Sequence, residues 1–255
     1  MKCRILAVLL LAAWGAAKTP WEQRMAAERR VTMGGSDLAM NFQLRDSLGQ
    51  GLSVAALGGF RGLAANFLWI SLTGAWEEKQ WTRVRTLAEL AVLMQPRVVF
   101  FWEMGAWQLA WNASIDAEQS GRTGGIESGN RDSRMWIEAG RRMLERGIET
   151  IPERYELYRA LAMLYQDRCK DYVQAAHYYE LASQRPGAPV YLERFPGFML
   201  ENAGKKREAY EYWKKLWLGS REHGPGPHRW EMVWEHMRKL EKDLNIPLEK
   251  KVSPG

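Results

Sequence analysis

Small and large apolar residues fall at helical intervals in residues 172–186, YVQAAHYYELASQRP, where Ala175, Tyr179 and Ala182 share one face and Pro186 ends the run. The same order returns in residues 207–216, with Ala209, Trp213 and Leu216 each 34 residues further on. A fixed period of this length predicts a chain built from repeated helical units. Tyr158, Leu161, Ala162 and Tyr165 predict the partner helix of the first stretch, small residues lying where two helices approach and rings filling the space beside them.

The pattern extends in both directions. The following unit carries Gly197 and Leu200 in its first helix, a turn at Gly204, and Ala209, Trp213 and Leu216 in its second; Pro196 is expected to kink or delay the first helix. The preceding unit places Trp102, Gly105, Ala106 and Leu109 in a first helix and Gly140, Leu144, Gly147 and Pro152 in a second. Between these two helices Asp116–Arg134, rich in Gly and Ser, predicts a surface-loop insertion at residues 116–134. Further upstream, WTRVRTLAELAVLMQP ends in Ala91 and Pro96 with the interval of Gly147 and Pro152, and FRGLAANFLWISLTGAWEEKQ is its partner.

Both ends differ from the middle. Thr19, Pro20 and Glu22 form a capping box opening a helix that ends near Gly34–Gly35, and Ser36 and Asp37 open another. Residues 18–59 therefore read as an N-terminal helical segment before a repeat region at residues 60–223. After a Gly/Pro break, residues 227–246 place Trp230, Val233, Met237 and Leu240 on one helical face, the pattern of a polar-backed helix closing the end of a repeat array. Residues 247–255 read as a flexible tail.

Composition adds the compartment. With 46% apolar and 26% charged residues in 255, the chain has the profile of a folded protein. Its start, MKCRILAVLLLAAWGAAK, has basic Lys2 and Arg4, an apolar run from Ile5 to Ala13, and small residues at Gly15, Ala16 and Ala17, as in a secretory leader. Two readings stay open: cleavage near Ala17, which predicts an exported, periplasmic or extracytoplasmic protein, or an uncleaved membrane tether through residues 1–17. Cys3 precedes the apolar run, which argues against a lipidated first residue. Loss of Lys2 and Arg4 would take the net charge from +6 to +4 and leave Cys169 as the one cysteine. The positive charge is scattered, with no basic stripe interleaved with rings, so no nucleic-acid partner is expected.

Taken together, residues 60–222 resemble the tetratricopeptide repeat family, whose units follow W-x2-L-G-x2-Y, then A-x3-F, then P within 34 residues. Tyr158, Leu161, Ala162 and Tyr165 have the spacing of the first part, and Ala175, Tyr179, Ala182 and Pro186 that of the second. The resemblance implies an all-α fold, a right-handed superhelix of antiparallel helix pairs whose first helices line a concave groove that binds a protein or peptide partner. Carried across, the groove register falls on Trp69, Thr73, Trp76 and Glu77, then Phe100, Glu103, Trp107 and Trp111. In the third and fourth units it falls on Glu156, Arg159, Met163 and Gln166, then Tyr191, Arg194, Phe198 and Asn202. One end is aromatic and the other carries arginines. Arg159 and Arg194 either face an acidic ligand or pair internally with Glu156, Glu193 or Glu201, and the N-terminal helices either leave the groove open or fill it. The lysine and asparagine set that lets some relatives clamp a peptide carboxylate is not reproduced.

Other chemistry is thin. There is no nucleophile–base set, phosphate-binding loop, dinucleotide fingerprint or paired-cysteine zinc spacing, so neither enzyme activity nor a cofactor or metal is expected. His228, Glu231 and Glu235 have ligand-like spacing on the last helix but read as a solvated face. Asn112-Ala113-Ser114 is a glycosylation sequon by letter inside a predicted helix. Gly58 and Gly62 in ALGGFRGLAANFLWISL invite a membrane reading, but Arg61 near the middle of such a span would cost about 2.5–3.5 kcal/mol, and close helix packing explains the glycines. The expected function is an exported, non-catalytic helical-repeat scaffold binding a partner through its groove. The alternative is a membrane-anchored structural subunit of an envelope assembly.

Overall fold

A computed structural model describes residues 60–124, 126–223 and 230–252; the expected leader, the helices before Gly35 and Leu48, Gly58, His228 and the tail beyond Val252 lie outside these residues. The described residues are all-helical, with no strand among them. The chain divides into two compact units, Met1–Gly105 and Ala106–Gly255.

In the first unit α1 (Arg61–Glu77) and α2 (Trp81–Met94) form a hairpin, followed by the start of α3 (Val99–Trp107). Its core is Ala64, Ala65, Leu68, Leu72 and Ala75 of α1 against Val84, Leu87, Ala88, Ala91 and Val92 of α2, all buried. Gly62 sits against the end of the Gln95 side chain, where a Cβ would come within 2.9 Å of the amide nitrogen. Among the described residues no helix is long and apolar enough to cross a membrane.

In the second unit α3 runs on through a π-helical turn (Gln108–Ala113) into α4 (Ser114–Gly124), and α5 (Ile126–Thr150) returns along it. The expected loop at residues 116–134 is therefore helical: its two halves extend both helices of the pair. The glycines there are contact residues. A Cβ on Gly121 would stand 2.5 Å from the Gly129 Cα, and one on Gly140 would stand 2.9 Å from the Ala106 carbonyl oxygen. Ala106, Ala110, Ala113 and Gly121 on one side thus meet Gly129, Ser133 and Gly140 on the other, with all of these buried.

The remaining helices pack in chain order: α6 (Tyr155–Leu164) with its π-helical end (Tyr165–Cys169), α7 (Tyr172–Ser183), α8 (Phe195–Asn202) after a 3-10 turn (Val190–Arg194), α9 (Lys206–His223) and α10 (Trp230–Asp243). Pro196 lies in the first turn of α8, where its missing N–H leaves no helical bond unmade; the helix is delayed rather than kinked. Asp171 caps α7 by accepting the Gln174 amide at 3.0 Å. One core gathers Tyr158, Ala162, Ala175, Tyr179, Ala182, Leu192 and Met199 from α6, α7 and the α8 region, and a second gathers Ala209, Tyr210, Trp213, Val233, Met237 and Leu240. Gly197 lies flat beneath the Trp213 ring, which a Cβ would approach to 2.3 Å.

Two local features recur. The turns after α1, α6 and α8 each hold one residue in the left-handed region, Lys79 (φ 56°), Lys170 (φ 55°) and Gly204 (φ 71°). And Trp102 Nε1 donates to the Pro96 carbonyl (2.8 Å) as Tyr158 Oη donates to that of Pro152 (2.9 Å), each ring reaching back six residues to the proline that follows the preceding helix.

Candidate functional site

The expected groove residues divide between the two units, and each set is described within its own. In the first, Trp69 packs edge-on against Phe100, with centroids 5.0 Å apart, and is tilted against buried Phe101 at 5.6 Å. Phe100, Trp76, Thr73 and Glu77 are exposed, while Glu103 is half-buried. α1 reaches this arrangement because Trp69 lies between its buried stripe and its open one, where it borders α3. The stripe that sequence reasoning missed is on the open side: Leu63, Phe67 and Ile70 are 69%, 58% and 69% exposed. Its signal was present in LAANFLWISL, which is apolar around more of the helix than one partner can cover.

In the second unit Trp107 and Trp111 stack at 4.4 Å with their planes 11° apart, Trp107 remaining exposed. Around α6 and the α8 region three of the expected residues, Arg159, Gln166 and Tyr191, act on one phenol. Tyr179 Oη donates to Gln166 Oε1 (3.0 Å), and its ring packs on Phe195, which in turn meets Tyr191. Burial holds this phenol well above the usual tyrosine range; the Asp167 charge adds to the rise and Arg159 opposes it. Glu156, at the start of α6, pairs with Arg154 at 2.6 Å. Burial alone would raise its carboxyl, but the Arg154 hydrogen bond, its own backbone N–H and the attraction of Arg154 and Arg159 together hold it below the usual value. Arg159 thus lies in the field of Glu156.

Glu201 is committed elsewhere. Its Oε1 accepts from Trp213 Nε1 (2.9 Å) and His236 Nδ1 (2.6 Å), and Lys239 lies 3.7 Å from Oε2. Arg194 sits half-buried in the 3-10 turn, Met163 is half-buried against the core, and Asn202 is exposed at the end of α8. Phe198, expected to face outward, instead packs between the two cores, edge-on to Trp213 (5.2 Å) and His236 (5.1 Å).

A second polar cluster was not anticipated. Arg168, in the π-helical end of α6, donates from Nε to the Ala110 carbonyl (3.0 Å) and from Nη2 to Ser114 Oγ (2.9 Å) and Glu118 Oε1 (2.7 Å), which also accepts from Ser133 Oγ (2.6 Å). It ties α4, α5 and α6 together. Ser114 is buried inside a helix, so the sequon at Asn112 is closed. Burial, with Asp171 second, raises the Cys169 thiol. Glu231 and Glu235 are exposed on α10. No family model matches the chain, and no curated protein matches it.

Proposed function

We propose that the protein is an exported, non-catalytic helical-repeat scaffold of the tetratricopeptide kind that binds a protein or peptide partner through the outward side of its first helices. The observation that carries the reading is the period of its turns. Lys170 and Gly204, 34 residues apart, both take the left-handed conformation between a first and a second helix. Lysine there carries a strain that glycine does not, so the turn geometry is imposed by the packing of the pair. The shared reach of Trp102 and Tyr158 to their prolines supports the same repetition.

For partner binding, the support is that Arg159, Gln166 and Tyr191 act on the Tyr179 phenol, with Glu156 in the field of Arg159 and Arg194 on the next first-helix segment. A guanidinium pair there favours a carboxylate-bearing segment. Export rests on the leader pattern alone. Crosslinking and pull-down from the native host, repeated with the Arg159→Ala, Arg194→Ala double variant, tests the reading. The variant is expected to stay folded and to lose a partner whose binding weakens with salt. Unchanged capture by a folded double variant removes the arginine surface from the proposal, and an unprocessed N-terminus recovered with membranes removes soluble export.

A further inference from the structure

The open side of α1 is an unpartnered apolar face. Leu63, Phe67 and Ile70 stand in line with Gly74, and no charged residue falls between Arg61 and Glu77. The hydroxyls of Ser71 and Thr73 are turned back onto the helix, donating to the Phe67 and Trp69 carbonyls (3.0 and 3.2 Å), and Asn66 is the exposed polar side chain among Leu63, Phe67 and Ile70. The three large side chains, with Phe60 beside them, present roughly 400–500 Å² of apolar surface, the size of the largest patch an ordinary monomer leaves bare.

That area selects among occupants. It is little more than half of the roughly 800 Å² per partner that a stable interface between separate chains buries. A tethered segment needs less, because its effective concentration is in the millimolar range. Fifty-nine residues precede Phe60, and they join α1 at the near end of this face. Their sequence fits it. Leu44, Leu48, Leu52 and Ala55 recur at intervals of 4, 4 and 3, while the α1 face reads Leu63, Phe67, Ile70 and Gly74 at intervals of 4, 3 and 4. Reflected through Gly59, Ala55 meets Leu63, Leu48 meets Ile70 and Leu44 meets Gly74, whose outward side has nothing within 4 Å of an added Cβ. Leu52 falls opposite Phe67, one residue off that symmetry. Gly58 and Gly59 stand where a short helix–helix connection turns, and the face from Leu63 to Gly74 is about 17 Å long, the helical length of residues 44–55.

We propose that the outer face of α1 is the seat of the chain's own preceding segment, residues 44–57, folded back across Gly58 and Gly59. It takes the outer side of α1 out of the partner-binding reading and leaves the arginine surface of α6 and the α8 region to it. The test uses the full chain with Cys3→Ser and Cys169→Ser, adding Leu48→Cys together with Ile70→Cys. Mild oxidation is expected to give a disulfide within the monomer at a rate independent of protein concentration, and about tenfold faster than Asp46→Cys with Ile70→Cys, which lies on the other side of the segment's helical pattern. As a second readout, Leu52→Asp is expected to speed reaction of the single Ile70→Cys thiol with a soluble maleimide. Disulfide-linked dimers in place of the intramolecular bond would assign the face to a second copy and overturn the proposal. It is equally overturned if no crosslink forms, whether or not vesicles of phosphatidylglycerol and phosphatidylcholine shift the emission of a dye on Ile70→Cys; such a shift would assign the face to lipid.

Discussion

Replacing Gly121 with alanine separates a loop from a packed helix pair by the sign of its effect. In an exposed helix glycine is disfavoured relative to alanine by about 1 kcal/mol, so Gly→Ala there stabilises. Gly219, on α9 with open space around an added Cβ, is such a position. At Gly121 the new methyl would stand 2.5 Å from the Gly129 Cα and 2.9 Å from its amide nitrogen, and backbone cannot swing aside as a side chain can. Relief requires α4 and α5 to part by about 1 Å, loosening the contact along its length, at a cost of about 1–3 kcal/mol. Set against the propensity gain, the upper half of that range leaves a net loss of about 1–2 kcal/mol, or a melting temperature lower by about 2–8 °C in a chain of this size. Gly219→Ala should raise it by about 2–4 °C. Thermal unfolding followed by circular dichroism measures both. If Gly121→Ala stabilises as much as Gly219→Ala, the close contact does not exist and the glycine-rich stretch is a loop after all.

Further outcomes follow from the polar contacts. Arg168→Lys keeps a charge but cannot span Ala110, Ser114 and Glu118 at once, so it should lower stability by about 1–2 kcal/mol in urea unfolding; wild-type stability would deny the staple its role. The Glu138 carboxyl is held down to about 2 chiefly by the Arg141 hydrogen bond, against burial and with help from Arg142. A lowered pKa stabilises above the ordinary 4.5 and loses that contribution as pH falls through about 2. Glu138→Gln should therefore melt slightly below wild type at neutral pH and match it near pH 2, while a deficit that grows on acidification would contradict the assignment. Cys169, its thiol raised, should alkylate more slowly at pH 8 than an unstructured peptide cysteine; an equal rate would show an unperturbed thiol.

The helices around residues 155–183 and 195–223 were legible because small and large apolar residues recur on one face: Ala175, Ala182, Ala209 and Trp213 are buried, and Gly197 lies against the Trp213 ring. The stretch at residues 116–134 was misread because glycine signals both a turn and a contact. The deciding clue was positional: Ala106, Ala110, Ala113, Ala117 and Gly121 continue one face without a break. Phe198 was misplaced for a different reason. The five residues of the 3-10 turn before α8 advance about 120° each instead of 100°, so the faces of α8 are turned by about a quarter turn from those of an uninterrupted helix. Phe198 is carried from the outer side to the seam between the two cores, while Asn202 at the helix end stays exposed. Which carboxylate meets which arginine was beyond the sequence altogether, since Glu156, Glu193 and Glu201 are equivalent in a list of letters. Only packing sends Glu201 to Trp213 and His236, with Lys239 nearby.

A helix with a side that no further helix covers faces a physical demand: that side must be polar or be covered by something else. The C-terminal end meets it within the described residues. α10 buries Val233, Met237 and Leu240 and exposes Glu231, Glu235, Lys239 and Lys242, so its outer side is charged. The chain is then held down beyond it: Arg238 pairs with buried Glu241 and donates from Nη2 to the Val252 carbonyl at 2.6 Å, while its guanidinium lies 3.9 Å above the Trp234 ring. α1 has no counterpart to this charged side. Its outer residues are those of an interior helix, with leucine, phenylalanine and isoleucine where α10 carries glutamate and lysine. A terminal helix would gain solubility from polar substitutions at these positions at no cost to its contact with α2, since Leu68 and Leu72 face the other way. Apolar residues at positions that packing with α2 does not require are what a helix with a second partner has, and that is the demand the proposed seat for residues 44–57 would answer.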